Sequence, residues 1–424
     1  MPSIVKQRGL DTDLYKKEQL LADFDQLVTA FKTQHPKTFT NLCEFERVCL
    51  LQRDKVAEMS EYDFFKIIAP VVGKMHCGHT YILYSSEQEA NSARNGNVLP
   101  LNVKVVDQAV YVMNSLPSLN LQKGSRIHCI NGQKITDIIE QIVNTSTSDG
   151  TNKIAKQAKL NSECGSYSLH SGSFKIAYYV FIASPEEFNV TYSNPYSEQL
   201  FETVIAPEAY VPLAFNQQPL SFNFQKNHAI LTIPNFYTYQ QAQFKVFSDE
   251  LSFFFDELKK KGIENLILDV RGNGGGDPNA GKLLLTYLLL SPFQYFNHDV
   301  TGTYSPLTQQ SQINKNAFNG KLVILIDGLG FSTTGHLLSH LVDQNRGTLI
   351  GQESGGGYIC NDRSKITRLS NTDIGINLPR FGFSTPVKRQ TKGRGIIPDI
   401  CLKYKIEDYL QHRDLEMQAA LYQL

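Results

Sequence analysis

The sequence predicts an α/β protein. Apolar runs of strand length recur through its second half, and each is followed by a segment whose apolar residues return at helical spacing. The run NLILDVRGNGGGDPNAG (265–281) adds a third sign, a buried strand that enters three successive glycines and then a helix. At 424 residues the chain has room for two or three domains and a large core. Its 41 basic residues balance 41 acidic ones, so no global field draws it to nucleic acid or to anionic lipid. The longest apolar segments, such as 283–290, are too short for a transmembrane helix.

Taken in order, residues 14–31 place apolar side chains at helical spacing, and helix continues over 44–53. Ser60 with Asp63 three residues later reads as the capped start of another helix, carrying Phe64, Phe65, Ile67 and Ile68. This module exits through His76-Cys77-Gly78-His79-Thr80. Residues 97–142 alternate like strands, with Asn131-Gly132 as a hairpin turn and a helix over 135–143. Residues 145–184 are polar and poorly periodic until 174–181 resumes strand character. From 198 onward, strands over 229–233, 266–270, 322–326 and 348–351 alternate with helices over 241–260, 280–290 and 334–343.

Gly274, Gly275 and Gly276 let the backbone take positive φ and approach a ligand with no Cβ in the way, so their N–H groups can converge on an anion or an oxyanion. The spacing from Gly276 to Lys282 also fits a phosphate-binding P-loop. Against that reading, Leu283 stands where a hydroxyl must hold Mg²⁺, and Pro278 removes an N–H. A second buried strand, 322–327, runs through Gly328-Leu329-Gly330-Phe331 to Ser332 at the start of a helix. There Ser332 reads either as an exposed nucleophile, with the N–H of Thr333 free to donate, or as an ordinary N-cap. His336 and His340 fall one turn apart, but the segment lacks the Glu of the zinc-peptidase helix, and the chain has no C-x-x-C pair.

Together these segments resemble the tail-specific, or C-terminal-processing, serine peptidases and the related core of tricorn protease. The shared pieces are Asp269-Val270-Arg271-Gly272-Asn273-Gly274-Gly275-Gly276, the turn Phe331-Ser332-Thr333, the glycine-rich 349–357, and Gly393-Arg394-Gly395-Ile396-Ile397-Pro398-Asp399, in family order. The resemblance implies a crotonase/Clp-like ββα core with a helical N-terminal module and a PDZ-like domain. The expected division is a helical module over 1–95, a PDZ-like module over 96–150, connecting strands over 151–197 and a catalytic core over 198–424. PDZ-like modules bind peptide by adding a strand to a sheet edge.

Many bacterial members use a Ser–Lys dyad. The corresponding position here is Gly357, and no Lys lies between 351 and 362. The resemblance therefore implies the histidine-using branch. Ser332 is then the nucleophile, His79 of the G-H-T segment the general base, and the N–H groups of Thr333 and of Gly274 or Gly275 the oxyanion donors. Asp343 is the expected acid beside the histidine, with Glu353 as runner-up. A polypeptide substrate is implied and no cofactor or metal; no oligomeric state is read from the sequence. The alternative is a catalytically degenerate member that binds peptide or an apolar ligand. Residues 1–20 carry no apolar export segment. Relatives of this kind are exported, so the expectation is periplasmic or secreted if a leader was removed, and cytoplasmic otherwise. Seven scattered cysteines give no disulfide framework.

Overall fold

The computed structural model describes residues 14–89, 96–162, 173–209, 220–389 and 391–424. Three helices come first: α1 (Lys17–Gln34), α2 (Leu42–Arg53) and α3 (Glu61–Gly73). The side chains of Asn41 and Ser60 accept from the N–H groups of Glu44 and Asp63, which the starts of α2 and α3 leave without helical partners. On α1, Leu20, Phe24, Leu27 and Phe31 form one buried stripe at helical spacing. Asp23 is buried beside them, and its carboxylate accepts from the backbone N–H groups of Asn371 and Thr372 at 3.0 and 2.8 Å. That contact ties the N-terminal helices to the far end of the chain.

After α3 the chain passes through the G-H-T segment into β1 (Tyr81–Leu83), which pairs antiparallel with Gly375–Leu378 and sets Tyr81 opposite Asn377. The Asn377 side chain also donates to the His79 carbonyl at 2.7 Å. A residue from the first fifth of the sequence is thereby fixed against the C-terminal half.

A second sheet contains β2 (Val103–Val106), β3 (Ala109–Val112), β4 (Arg126–Ile130) and the short β5 (Gln133–Lys134). Asn131 and Gly132, at φ 48° and 76°, make the β4–β5 turn, as an Asn-Gly pair favours. Helix α4 (Ile135–Thr145) follows and buries Ile135, Ile138, Ile139 and Ile142. Where connecting strands are expected over 151–197, helices come first and one strand follows. The described part holds helices α5 (Lys153–Leu160) and α6 (Phe174–Phe181), then β6 (Phe188–Ser193). Together with β7 (Leu200–Ile205), β6 completes the sheet in the order β2-β3-β4-β6-β7. The α6 sequence FKIAYYVF is buried almost all round, and periodicity cannot separate a wholly apolar helix of that length from a strand.

The central sheet has β8 (Ser221–Phe224), β9 (Ala229–Thr232), β10 (Asn265–Asp269), β11 (Lys321–Ile326) and β12 (Thr348–Gly351), then the short Ile400–Cys401, in that spatial order. Only the β8–β9 pair is antiparallel. Parallel neighbours need crossovers, supplied by α7 (Gln241–Lys260), α8 (Pro278–Leu288) and α9 (Thr333–Asp343). Along β10 and β11, alternate residues pack to opposite sides. Leu266, Leu268, Leu322 and Ile324 join Phe254, Leu284 and Leu337 of those helices, while Ile267, Val323 and Leu325 meet Ala420 of α10 (Leu415–Gln423). Both faces are covered, which is why these strands read as unbroken apolar runs.

Two nested antiparallel pairs follow β12: β13 (Ile359–Asp362) with β16 (Phe381–Ser384), and between them β14 (Lys365–Arg368) with β15 (Gly375–Leu378). Among the described residues no helix is long and apolar enough to cross a membrane. The described cysteines are all free, and Cys164 lies outside the described residues.

Candidate active site

β10 and β11 run parallel and in register, Asp269 beside Leu325, so the loops leaving their carboxyl ends emerge side by side. Crevices at such strand ends are where open α/β sheets place ligands. The first loop carries the three glycines and the second carries Ser332. Asp327 joins them: its carboxylate accepts from the N–H groups of Gly272 and Leu329, each at 3.0 Å.

Ser332 sits at φ 55° and ψ −121°, a strained conformation for a residue with a Cβ, and its side chain makes no capping hydrogen bond to α9. The ordinary N-cap reading therefore fails. Asn273, fully buried, holds the turn in place. Its side-chain oxygen accepts from Gly275 N at 2.9 Å and from Thr334 Oγ1 at 2.8 Å, and its amide donates to the Ile233 carbonyl at 2.8 Å. Its backbone carbonyl takes the N–H of Phe331 at 3.1 Å. Replacing Asn273 with Ala is expected to strand the Gly275 N–H, the Thr334 hydroxyl and the Ile233 carbonyl and to lower stability by about 1–3 kcal/mol. A melting curve within error of wild type would contradict that.

The expected oxyanion donors divide. Gly275 lies closest to the serine: a Cβ built on it would stand 2.6 Å from Phe331 O, 2.8 Å from Ser332 Cβ and 3.0 Å from Thr333 N. Its own N–H, however, is taken by Asn273, so as a donor Gly275 is corrected. Among the described residues the N–H groups of Gly274 and Thr333 have no acceptor. The P-loop reading also fails. Asp277 caps α8, its carboxylate accepting from Asn279 N at 2.9 Å, and so fills with fixed negative charge the helix end that phosphates would need.

His79 reaches this region through Phe331. Their ring centroids are 4.6 Å apart, and Gly78 passes so close that a Cβ there would meet the Phe331 ring at 2.5 Å. The His79 side chain is 16% exposed; Nε2 lies 3.7 Å from Asp362 Oδ2, while Nδ1 is buried without a partner. Among the described residues no hydrogen bond joins His79 to Ser332. The neighbour of the Ser332 hydroxyl is Cys360, whose thiol burial pushes well up.

Asp343 is not brought to the histidine. It ends the 11-residue α9, and at roughly 1.5 Å per residue it lies about 16 Å along the axis from Ser332. Its carboxylate accepts from Lys388 N at 2.9 Å. Glu353, the runner-up, is held by Arg394 at 2.6 Å and by Gly395 N at 2.9 Å; burial alone would raise its pKa, but these donors keep it below the usual range. Gly357 has no room for a lysine, since a Cβ there would lie 2.5 Å from Arg394 O. His336 and His340 point into the aromatic packing around Tyr295 and Phe296, and burial pushes them down to about 3 and about 4. Sequence reasoning missed Cys360, Asp362 and Asp149. The first two alternate on one strand beside the serine and the histidine. Asp149 accepts from Gly78 N at 2.8 Å.

Residues 227–402 match the model of Peptidase family S41. A tricorn protease homolog from Saccharolobus solfataricus is 27% identical over 180 residues, covering 41% of this chain and 15% of that protein. A carboxyl-terminal-processing protease from Synechocystis sp. is 25% identical over 175 residues, covering 41% of this chain and 39% of that one. The chain spans less than half the length of these curated relatives. Among solved structures, mature CPAF complexed with lactacystin superposes with a TM-score of 0.65 at 12% identity, over 95% of this chain and 98% of that one. Mature CPAF gives 0.64 at 12% identity, over 96% and 98%. At that identity the likeness is one of fold, and it extends beyond the region of sequence similarity. Residues 227–402 of this mixed α/β chain form a Peptidase family S41 domain.

Proposed function

We propose that the chain is a serine endopeptidase acting on unstructured or C-terminal polypeptide segments. In this reading Ser332 is the nucleophile and His79 the general base. The observation that carries it is the backbone of Ser332: strained, at a helix start, with its side chain left out of capping, the adjoining Thr333 N–H free, and the Gly274 N–H free in the glycine loop whose Gly275 packs on the serine. Strain of this kind costs about 1–3 kcal/mol and persists where function uses it. Ser332 Oγ attacks the scissile carbonyl as its proton passes to His79 Nε2, and the two free N–H groups receive the oxyanion. The imidazolium then protonates the leaving amine, and water releases the acyl group by the reverse transfer. The 3.7 Å approach of Asp362 to Nε2 has to give way as substrate draws imidazole and serine together. The ββα core is read as crotonase/Clp-like, and the sheet of β2, β3, β4, β6 and β7 as a PDZ-like unit that positions substrate.

Replacing His79 with Ala is expected to lower turnover of an unstructured protein by about 10²–10⁴-fold. Turnover unchanged in that variant would remove His79 from the mechanism. One observation favours a second reading, a chain that binds peptide without cleaving it: the Ser332 hydroxyl faces the Cys360 thiol and is not bonded to His79. That reading predicts peptide binding with no product from wild type or variant.

A further inference from the structure

Nδ1 of His79 and Oδ2 of Asp149 are among the buried polar atoms that have no hydrogen-bond partner. Leaving such a group unsatisfied costs about 1–3 kcal/mol, so each calls for an explanation. The two side chains are near enough for the His79 charge to act on the Asp149 carboxyl. The other Asp149 oxygen accepts from the N–H of Gly78, the residue before His79, at 2.8 Å. The turn that carries Asp149 is clamped on several sides. Gly150 N donates to the His76 carbonyl at 2.9 Å, and the Asn152 side chain donates to the Ser354 carbonyl at 2.6 Å. Gly150 also packs so closely on Gly393 that a Cβ would stand 2.2 Å from its carbonyl oxygen. The turn that carries this carboxylate is thus fixed to the histidine segment, the glycine-rich segment and the G-R-G-I-x-P-D segment, and one carboxylate oxygen is left unspent.

Other acids in the region are engaged or wrongly placed. Asp343 is at the far end of α9, and Glu353 is paired with Arg394. Asp362 approaches Nε2, the nitrogen that must accept the serine proton, and its side chain is 43% exposed.

We propose that Asp149 is the positioning acid of His79, its Oδ2 accepting the Nδ1 proton once the site closes on substrate; this rests on the Ser332–His79 reading above. The bond fixes the proton on Nδ1 and leaves the Nε2 lone pair for catalysis. When Ser332 attacks, its O–H bond breaks, an N–H bond forms at Nε2, and the electron pair left on Oγ forms the new bond to carbon. Asp149 then faces an imidazolium and stabilises it without taking its proton. Burial pushes the Asp149 carboxyl up to about 6, opposed by the His79 charge, the Gly78 N–H and the Lys159 ammonium. Lys159, itself pushed down to about 8 by burial, is anchored to the Thr147 carbonyl at 2.8 Å.

Asp149→Asn separates positioning from scaffolding. Its amide oxygen still accepts from Gly78 N, while its NH₂ group offers Nδ1 a donor and selects the wrong tautomer. The expected result is a fall in kcat of about 10²–10⁴-fold, with KM within about threefold and an unchanged melting temperature. Wild-type kcat in this variant, the outcome of a purely structural role, overturns the proposal. So does a loss that falls on Asp362→Asn instead. His79→Ala run alongside distinguishes the failures. If it is inactive while Asp149→Asn is active, only this proposal falls; if it keeps full kcat, the base reading falls and this proposal with it. Should Asp149→Asn not fold, the wild-type protein with a peptidyl boronate on Ser332 gives the answer by proton NMR. A strongly downfield imidazole Nδ1 proton supports the proposal, and its absence overturns it.

Discussion

Replacing Ser332 with Ala is expected to abolish turnover of an unstructured protein substrate while leaving the fold as stable as before. If Ser332 is the nucleophile, the loss is about 10⁶-fold, as when a nucleophile is removed from a unit that acts together. Stability is expected to stay within about 1 kcal/mol, because the Ser332 side chain makes no cap bond to lose. Ala keeps the strain at φ 55°, whereas Ser332→Gly relieves it and is expected to be equally inactive but no less stable. Product release and thermal melting measure the two halves of this expectation. Wild-type turnover in either variant would remove Ser332 from the chemistry.

Gly275→Ala is expected to damage both activity and stability, and Gly274→Ala neither to a comparable degree. Gly275 has φ 98°, and a Cβ on it would press on Phe331 O, Ser332 Cβ and Thr333 N, all within 3.0 Å. The backbone there cannot yield without moving the serine. Turnover should fall by about 10²–10³-fold or more, as when an oxyanion donor is displaced. Stability should fall by about 1–3 kcal/mol from the backbone conformation alone. At Gly274 the nearest atom to an added Cβ is the Tyr237 hydroxyl at 3.9 Å, and the N–H survives the substitution. Steady-state kinetics and a denaturant melt on the pair test this, and equal damage at both glycines would contradict it.

The fold core and the serine turn were legible because each leaves a mark of fixed spacing. A strand covered on both faces must be apolar throughout, and two backbones that touch must have glycine, so β10, β11, Gly275 and Gly276 announce themselves. His79 was legible only through the G-H-T resemblance. It is 298 residues from Asn377, and tertiary contacts such as the β1–β15 pairing bring it to the core. Asp149, Cys360 and Asp362 left no mark, since a single acid or thiol in an aperiodic stretch looks the same whether it faces solvent or a catalytic group. Asp343 rests on an acidic position of the resembling family on the serine helix, and helix geometry carries it to the wrong end. The strand expected at 174–181 failed for the opposite reason: with nearly every residue buried, α6 has no polar face to show its period.

The central claim is that Ser332 is a nucleophile activated by His79. Treatment with a serine-directed fluorophosphonate, followed by mass spectrometry of the digested protein, tests it most directly. The account predicts one adduct, located on Ser332, absent in Ser332→Ala and formed at least about 10²-fold more slowly in His79→Ala. An unlabelled Ser332 in folded wild-type protein, or equal labelling with and without His79, would contradict it.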